Sequence, residues 1–146
     1  GGITTLEDKS CGCVQKGGSA PVADVIGYGD AVVTKGLNML SGPGNDLVSA
    51  TALTAAGAHI ILFTTGRGTP FGAPAPTIKI ATNTPLFERK PGWLDFNAGP
   101  VADGESIPDA GRRLFEKVVA VASGEQTRSE EHGYREISIF KDGVVL

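Results

Sequence analysis

Three short polar groups in this chain hold the residue types with which a protein grips a small, hydroxylated anion. Thr64-Thr65-Gly66-Arg67-Gly68-Thr69 sets one guanidinium among threonine hydroxyls and glycines. A guanidinium holds a carboxylate through two parallel hydrogen bonds, and the hydroxyls of Thr64, Thr65 and Thr69 can read sugar hydroxyls. Ser41–Asp46 reads SGPGND, a strand-to-helix turn whose backbone amides suit a carboxylate or phosphate. Thr82-Asn83-Thr84 is the third group; Asn83 both donates and accepts, which suits a polyol. Two of these groups also have a plainer reading. Asn45 or Asp46 would cap a helix, and Arg67 would pair with a carboxylate across a structural crossover. SGPGND lacks the lysine of a phosphate loop and the full G-x-G-x-x-G, so nucleotide binding is not expected.

The elements that must position these groups follow from apolar spacing. His59–Thr65 reads as a buried strand that enters a loop fixed by Gly66, Gly68, Gly72, Pro70, Pro74 and Pro76. Thr77–Thr82 alternates and predicts a half-buried strand. Gly36–Leu40 is a strand, and a helix from Asp46 follows, with Leu47, Ala50, Thr51 and Thr54 spaced by three and four and Gly57 ending it. With His59–Thr65 these form a strand–helix–strand unit of the length a right-handed parallel crossover needs.

Ahead of that unit, residues 1–18 read as a loop and a short helical turn, with Thr5 and Asp8 as its capping pair, and Ala23–Ile26 as a helical or turn segment. Beyond it, Pro85–Lys90 is a short helix and PGWLDFNAG a turn with a short extended piece. Ser106 caps a helix over Ile107–Ala122 that buries Leu114, Val118 and Val121 and stops at Gly124. Glu136–Leu146 is a strand with an Asp142-Gly143 turn. The fold class is α/β, a three-layer, mostly parallel sheet with flanking helices, Rossmann-like. Parallel strands would gather the three polar groups at one sheet edge.

A length of 146 residues suits one domain. A net charge of −3 gives no nucleic-acid footprint, and no apolar run approaches the roughly 20 residues of a membrane span. Without a signal peptide, a cytoplasmic location is expected. Cys11 and Cys13 are too close for an ordinary disulfide and read as buried free thiols rather than metal or redox groups. His59 reads as a core or edge histidine, His132 as part of a solvated acidic loop, and Trp93 with Phe96 as a small satellite core. No three-residue metal cluster stands out in the sequence.

SGPGND, LFTTGRGTPFGAPAPTIKIATN, WLDFNAG and HGYREISIFKDGV, preceded by GGITTLEDKSCGCVQKGG, resemble the C-terminal domain of the altronate/galactarate dehydratase family, which also takes in the large subunit of sulfolactate sulfo-lyase. The resemblance covers the whole chain. It implies a sugar-acid lyase, with dehydration of D-altronate to 2-dehydro-3-deoxy-D-gluconate as the reaction and a divalent metal, iron(II) or manganese(II), as cofactor; dehydration of galactarate, sulfo-lyase action on sulfolactate, and a non-catalytic assembly role for this domain are the alternatives it leaves open. It also implies that 1–146 is one domain of a longer multidomain enzyme, with metal ligands at least partly outside this chain. Arg67 is then expected to grip the substrate carboxylate or its developing charge, and Asn45, Asp46, Thr65, Gly66, Thr69 and Asn83 to contact the substrate or the metal's surroundings. The expected partners are the sugar acid and the enzyme's remaining domains or subunit, with a homo-oligomer left open and neither nucleic acid nor membrane among them.

Overall fold

The computed structural model of the chain describes residues 5–139. Helix α1 (Leu6–Lys16) leads to strands β1 (Val22–Ile26) and β2 (Leu37–Leu40), which pair in parallel. Helix α2 (Asp46–Ala55) then leads to a second sheet of β3 (Ile61–Thr65), β4 (Thr77–Ala81) and β5 (Phe96–Asn97), in that spatial order and again parallel. Helix α3 (Thr84–Arg89) joins β4 to β5, and a 3-10 turn, Gly99–Asp103, precedes α4 (Ile107–Ala122) and α5 (Arg128–Glu131). This is the expected α/β class with parallel strands. The strand–helix–strand unit differs from expectation, because β2 and β3 lie in separate sheets and α2 crosses between them. No helix among the described residues is long and apolar enough to cross a membrane.

The centre of the molecule is β4. All five of its residues are buried, although alternation in TIKIAT predicts a half-buried strand. The central strand of a parallel sheet is covered on both faces, and here the polar residues are covered too because each is satisfied. Thr77 Oγ1 donates to the Ala75 carbonyl and accepts from the Ala73 amide, and Lys79 Nζ donates to two carbonyls. Conversely β3, expected to be buried, is an edge strand with Leu62 and Thr64 exposed, and it starts at Ile61, leaving His59 exposed before it. On one side Ala50 of α2, Ile61, Phe71, Ala73 and Ala75 form a cluster. On the other Ile78, Ile80 and Phe96 meet Val121, with Leu114 and Val118 beside them, as the spacing in α4 predicts. Trp93 packs instead on Ala81, Leu86 and Leu94, so Trp93 and Phe96 belong to different clusters.

The connection from Thr65 to Thr77 joins two neighbouring parallel strands without a helix. Its second half does the covering that a helix usually does: Phe71, Gly72, Ala73 and Ala75 are buried. Glu136 secures it, donating its amide to Gly72 O at 2.7 Å and accepting from Gly72 N at 2.9 Å. With those bonds made to a loop, residues 136–139 form no strand, and the rest of the expected strand with its Asp142-Gly143 turn lies outside the described residues.

Three other segments depart from expectation. Residues 22–26 form a strand because Val22, Val25 and Ile26 are β-branched and find a parallel partner. The first segment forms an 11-residue helix, in which Val14 is 77% exposed, and Cys11 and Cys13 are free and exposed rather than buried. The acidic run before His132 is the helix α5, with a capping box between Thr127 and Glu130. His132 itself is exposed, its Nε2 3.1 Å from Gly92 O.

Asp95 extends the β4–β5 pairing. Its amide donates to Lys79 O at 2.9 Å, its Oδ2 accepts from Lys79 N at 2.8 Å, and its Oδ1 accepts from Arg128 N at 2.8 Å. Asp95→Ala leaves the buried Lys79 N–H without a partner and is expected to cost about 3 kcal/mol in urea unfolding. Burial raises the Asp95 pKa, against the lowering effect of the Arg128 and Lys79 amides and the Lys117 and Lys79 charges. A raised folded-state pKa gives stability that is complete below the unfolded value and is lost as pH rises through the folded one. The advantage of wild type over Asp95→Ala is therefore expected to be larger at pH 3 than at pH 7.

Candidate functional site

The carboxyl ends of the second sheet's strands fall in one row, Thr65 beside Ala81 and Ala81 beside Asn97. Turns leaving β3 and β4 therefore emerge at one edge, where open parallel sheets place ligands. A cavity of about 590 Å³ opens there, lined by Asp46 and the run from Leu62 to Thr69. A second concavity of about 230 Å³ lies behind the same turn, with Gly66, Arg67, Asn83, Arg89 and Lys90 in its wall. Arg67 stands between the two.

The turn that bears Arg67 is held by its own side chains and by α3. Thr65 Oγ1 accepts from Gly68 N at 2.9 Å and from Arg67 N at 3.4 Å. Gly68 has a φ of +79°, a left-handed conformation that suits glycine, and a Cβ there would also stand 3.0 Å from Lys90 Cδ. Lys90 Nζ lies over the Trp93 ring and donates to Arg67 O at 2.9 Å. Asn83 Nδ2 approaches Gly66 O at 3.5 Å. The turn's amides and carbonyls are thus largely taken up by the fold. The Arg67 guanidinium is not: it is exposed and makes no ion pair among the described residues.

Asp46, Thr65, Gly66, Arg67 and Thr69 line the first cavity together. Asn45 sits beside it as the N-cap of α2, its Oδ1 accepting from Val48 N at 3.2 Å. Asn83 lies on the other side of Arg67 and caps α3, its Oδ1 accepting from Leu86 N at 2.9 Å. The SGPGND turn thus contributes Asp46 to the cavity wall and Asn45 to the helix. Among the residues lining the two concavities, Asp46 is acidic and Arg67, Arg89 and Lys90 are basic, so the charge at this edge favours an anion.

Sequence reasoning missed Lys90, Arg89 and Lys79. Lys90 and Arg89 look like ordinary charges at the end of a short helix. Lys79 looks like the outward residue of an alternating strand, yet it lies under the turn, with Nζ on Thr69 O at 3.1 Å and Phe71 O at 3.0 Å. No three His, Cys, Asp or Glu side chains come together among the described residues. Asp46 with threonine hydroxyls does not supply the oxygen set that a divalent ion needs, so this chain's described residues do not fit the implied metal.

The family model described as D-galactarate/Altronate dehydratase, C-terminal, matches residues 1–145. The chain is 54% identical to an altronate dehydratase of Bacillus subtilis (strain 168) and 52% identical to one of Escherichia coli (strain K12), in each case over all of the chain and 30% of the relative. It is 36% identical to the galactarate dehydratase (L-threo-forming) of Escherichia coli (strain K12), over 99% of the chain and 28% of the relative. The chain thus spans about a third or less of the length of these curated relatives. By a match over nearly its whole length, this chain belongs to the D-galactarate/altronate dehydratase C-terminal family.

Proposed function

We propose that this chain forms the carboxylate-gripping wall of the substrate site in a sugar-acid hydro-lyase, one that dehydrates D-altronate to 2-dehydro-3-deoxy-D-gluconate. The observation that carries the reading is the Arg67 turn. An exposed guanidinium, unpaired among the described residues, is held at the carboxyl edge of a parallel sheet beside threonine hydroxyls. The choice of D-altronate rests on the 54% and 52% identity to proteins named altronate dehydratase.

Dehydration of a sugar acid removes the proton on the carbon next to the carboxylate and expels the hydroxyl from the following carbon. As the C–H bond breaks, its electron pair moves toward the carboxylate, whose oxygens gain charge. A guanidinium fixed against those oxygens stabilises that charge more than the ground state, which is what lowers the barrier. Arg67 takes this role. Thr64, Thr65 and Thr69 orient substrate hydroxyls, with Asp46 accepting from them across the cavity. Gly66 lets the substrate approach the backbone, and Asn45 and Asn83 fix the helix starts on either side. The proton acceptor and the donor to the leaving hydroxyl are assigned to the remaining parts of the longer enzyme. So are ligands of a divalent ion, iron(II) or manganese(II).

The test is substrate profiling of the enzyme that carries this chain. It is expected to convert D-altronate to the 3-deoxy-2-keto acid and to act on galactarate at least about tenfold less well, as a pocket matched to one pattern of hydroxyls would. Sulfite release from (2R)-sulfolactate with no turnover of D-altronate would replace this reading with that of a sulfo-lyase. That outcome would accord with the 30% identity to a protein named (2R)-sulfolactate sulfo-lyase subunit beta from Chromohalobacter salexigens.

A further inference from the structure

Lys79 is the largest side chain with no exposure, at 0%, and it lies in the middle of the central strand. Taking an ammonium group out of water is costly, and an apolar side chain of similar volume would fill the same space at less cost. Packing therefore does not explain it. Its Nζ makes no ion pair among the described residues. It donates to Thr69 O and Phe71 O, the carbonyls on either side of Pro70. That is the point where the connection after β3 changes character, from the exposed turn with Arg67 to the buried run that covers the sheet. The turn is then anchored three ways: Thr65 Oγ1 closes it, Lys90 Nζ holds Arg67 O, and Lys79 Nζ fixes its exit.

We infer that Lys79 is a positioning residue for substrate binding: by fixing the Thr69 and Phe71 carbonyls from beneath, it sets where the Arg67 guanidinium meets the substrate carboxylate. This rests on the proposed role of Arg67 and adds to it a residue that no substrate can touch. Burial lowers the Lys79 pKa, while the Asp95 and Glu136 charges act to raise it. Ammonium and neutral amine both carry enough protons to serve two carbonyls, so the anchor does not depend on its protonation state.

Lys79→Met in the enzyme that carries this chain keeps the side chain's length and removes its donors. The expected result is a fall of about tenfold in kcat/KM for D-altronate, mostly through KM, since small displacements of a positioning group weaken productive binding steeply. Amide exchange should accelerate in the segment from Gly66 to Phe71 and not in β4. In an Arg67→Ala background the same substitution should cost less than about twofold, because two residues acting through one contact are not additive. Unchanged KM, fully additive losses, or unchanged exchange in that segment would each overturn the inference. If Arg67→Ala alone leaves KM unchanged, the proposed function falls, and the exchange measurement still decides whether Lys79 holds the turn. Should Lys79→Met not fold, Lys79→Gln replaces it. Its shorter donor cannot reach both carbonyls, and a wild-type KM in that variant would equally overturn the inference.

Discussion

Arg67→Ala is expected to lower kcat/KM for D-altronate by about 100-fold or more in the enzyme that carries this chain. Removing one partner of a closely held charge pair costs about 3 kcal/mol, and each factor of ten in rate corresponds to about 1.4 kcal/mol. The loss should appear in kcat as well as KM, because charge on the carboxylate grows toward the transition state. Arg67→Lys should recover only part of it, since an ammonium group cannot reproduce the two parallel hydrogen bonds of the fork. Stability should hardly move. The side chain is exposed, and what Arg67 gives the fold is its backbone, through Lys90 Nζ on its carbonyl and its amide on Thr65 Oγ1. Arg112→Ala is the control: Arg112 is exposed on α4, its ion pair with Asp109 is a surface one, and no loss of activity is expected. Steady-state kinetics with a thermal melt on each variant checks all three.

Gly99→Ala is expected to be the most destabilising small substitution at the site edge. A Cβ at Gly99 would stand 2.2 Å from Thr84 N, 2.4 Å from Thr84 Oγ1 and 2.7 Å from the Asn83 carbonyl carbon. Two of these are backbone atoms, so relief requires α3 or the 3-10 turn to move. Overpacking a closed contact costs about 3 kcal/mol, the upper part of its usual range. The displaced residues are Asn83, which caps α3, and Thr84, which begins it, so the wall behind Arg67 shifts with them. Gly111→Ala gives the contrast. Nothing lies within 4 Å of a Cβ there, and in the body of α4 alanine should stabilise by about 1 kcal/mol. Urea unfolding of the two variants should therefore move in opposite directions.

Much of the fold was legible because several signals agreed. At α4 the cap Ser106, Pro108 just inside the helix, the apolar stripe and Gly124 all point to one helix, and its limits match. Pro85 similarly marks α3, which starts one residue earlier behind the Asn83 cap, and Asn45, one of two candidate caps, marks α2. Where one signal stood alone it misled. Alternation in TIKIAT expresses the chemistry of the side chains and not their burial, and nothing local shows that carbonyls from a distant loop will satisfy Lys79. The shortness of 22–26 hides its type, because a parallel partner eleven residues further on decides it. The division into two sheets depends on long-range pairing that no periodicity records. At the site, the residues that face the cavity could be read from the strand ends. The ones that hold the turn from below and behind, Lys79 and Lys90, could not, because their roles are to satisfy backbone carbonyls that any sequence has.

The central claim is that the Arg67 turn meets the substrate, and hydrogen exchange on the enzyme that carries this chain, with and without D-altronate, tests it most directly. Slower exchange in the peptide spanning Leu62 to Thr69 on adding D-altronate, absent in Arg67→Ala, is the predicted result. Saturating turnover of D-altronate with exchange in that peptide unchanged would contradict the account.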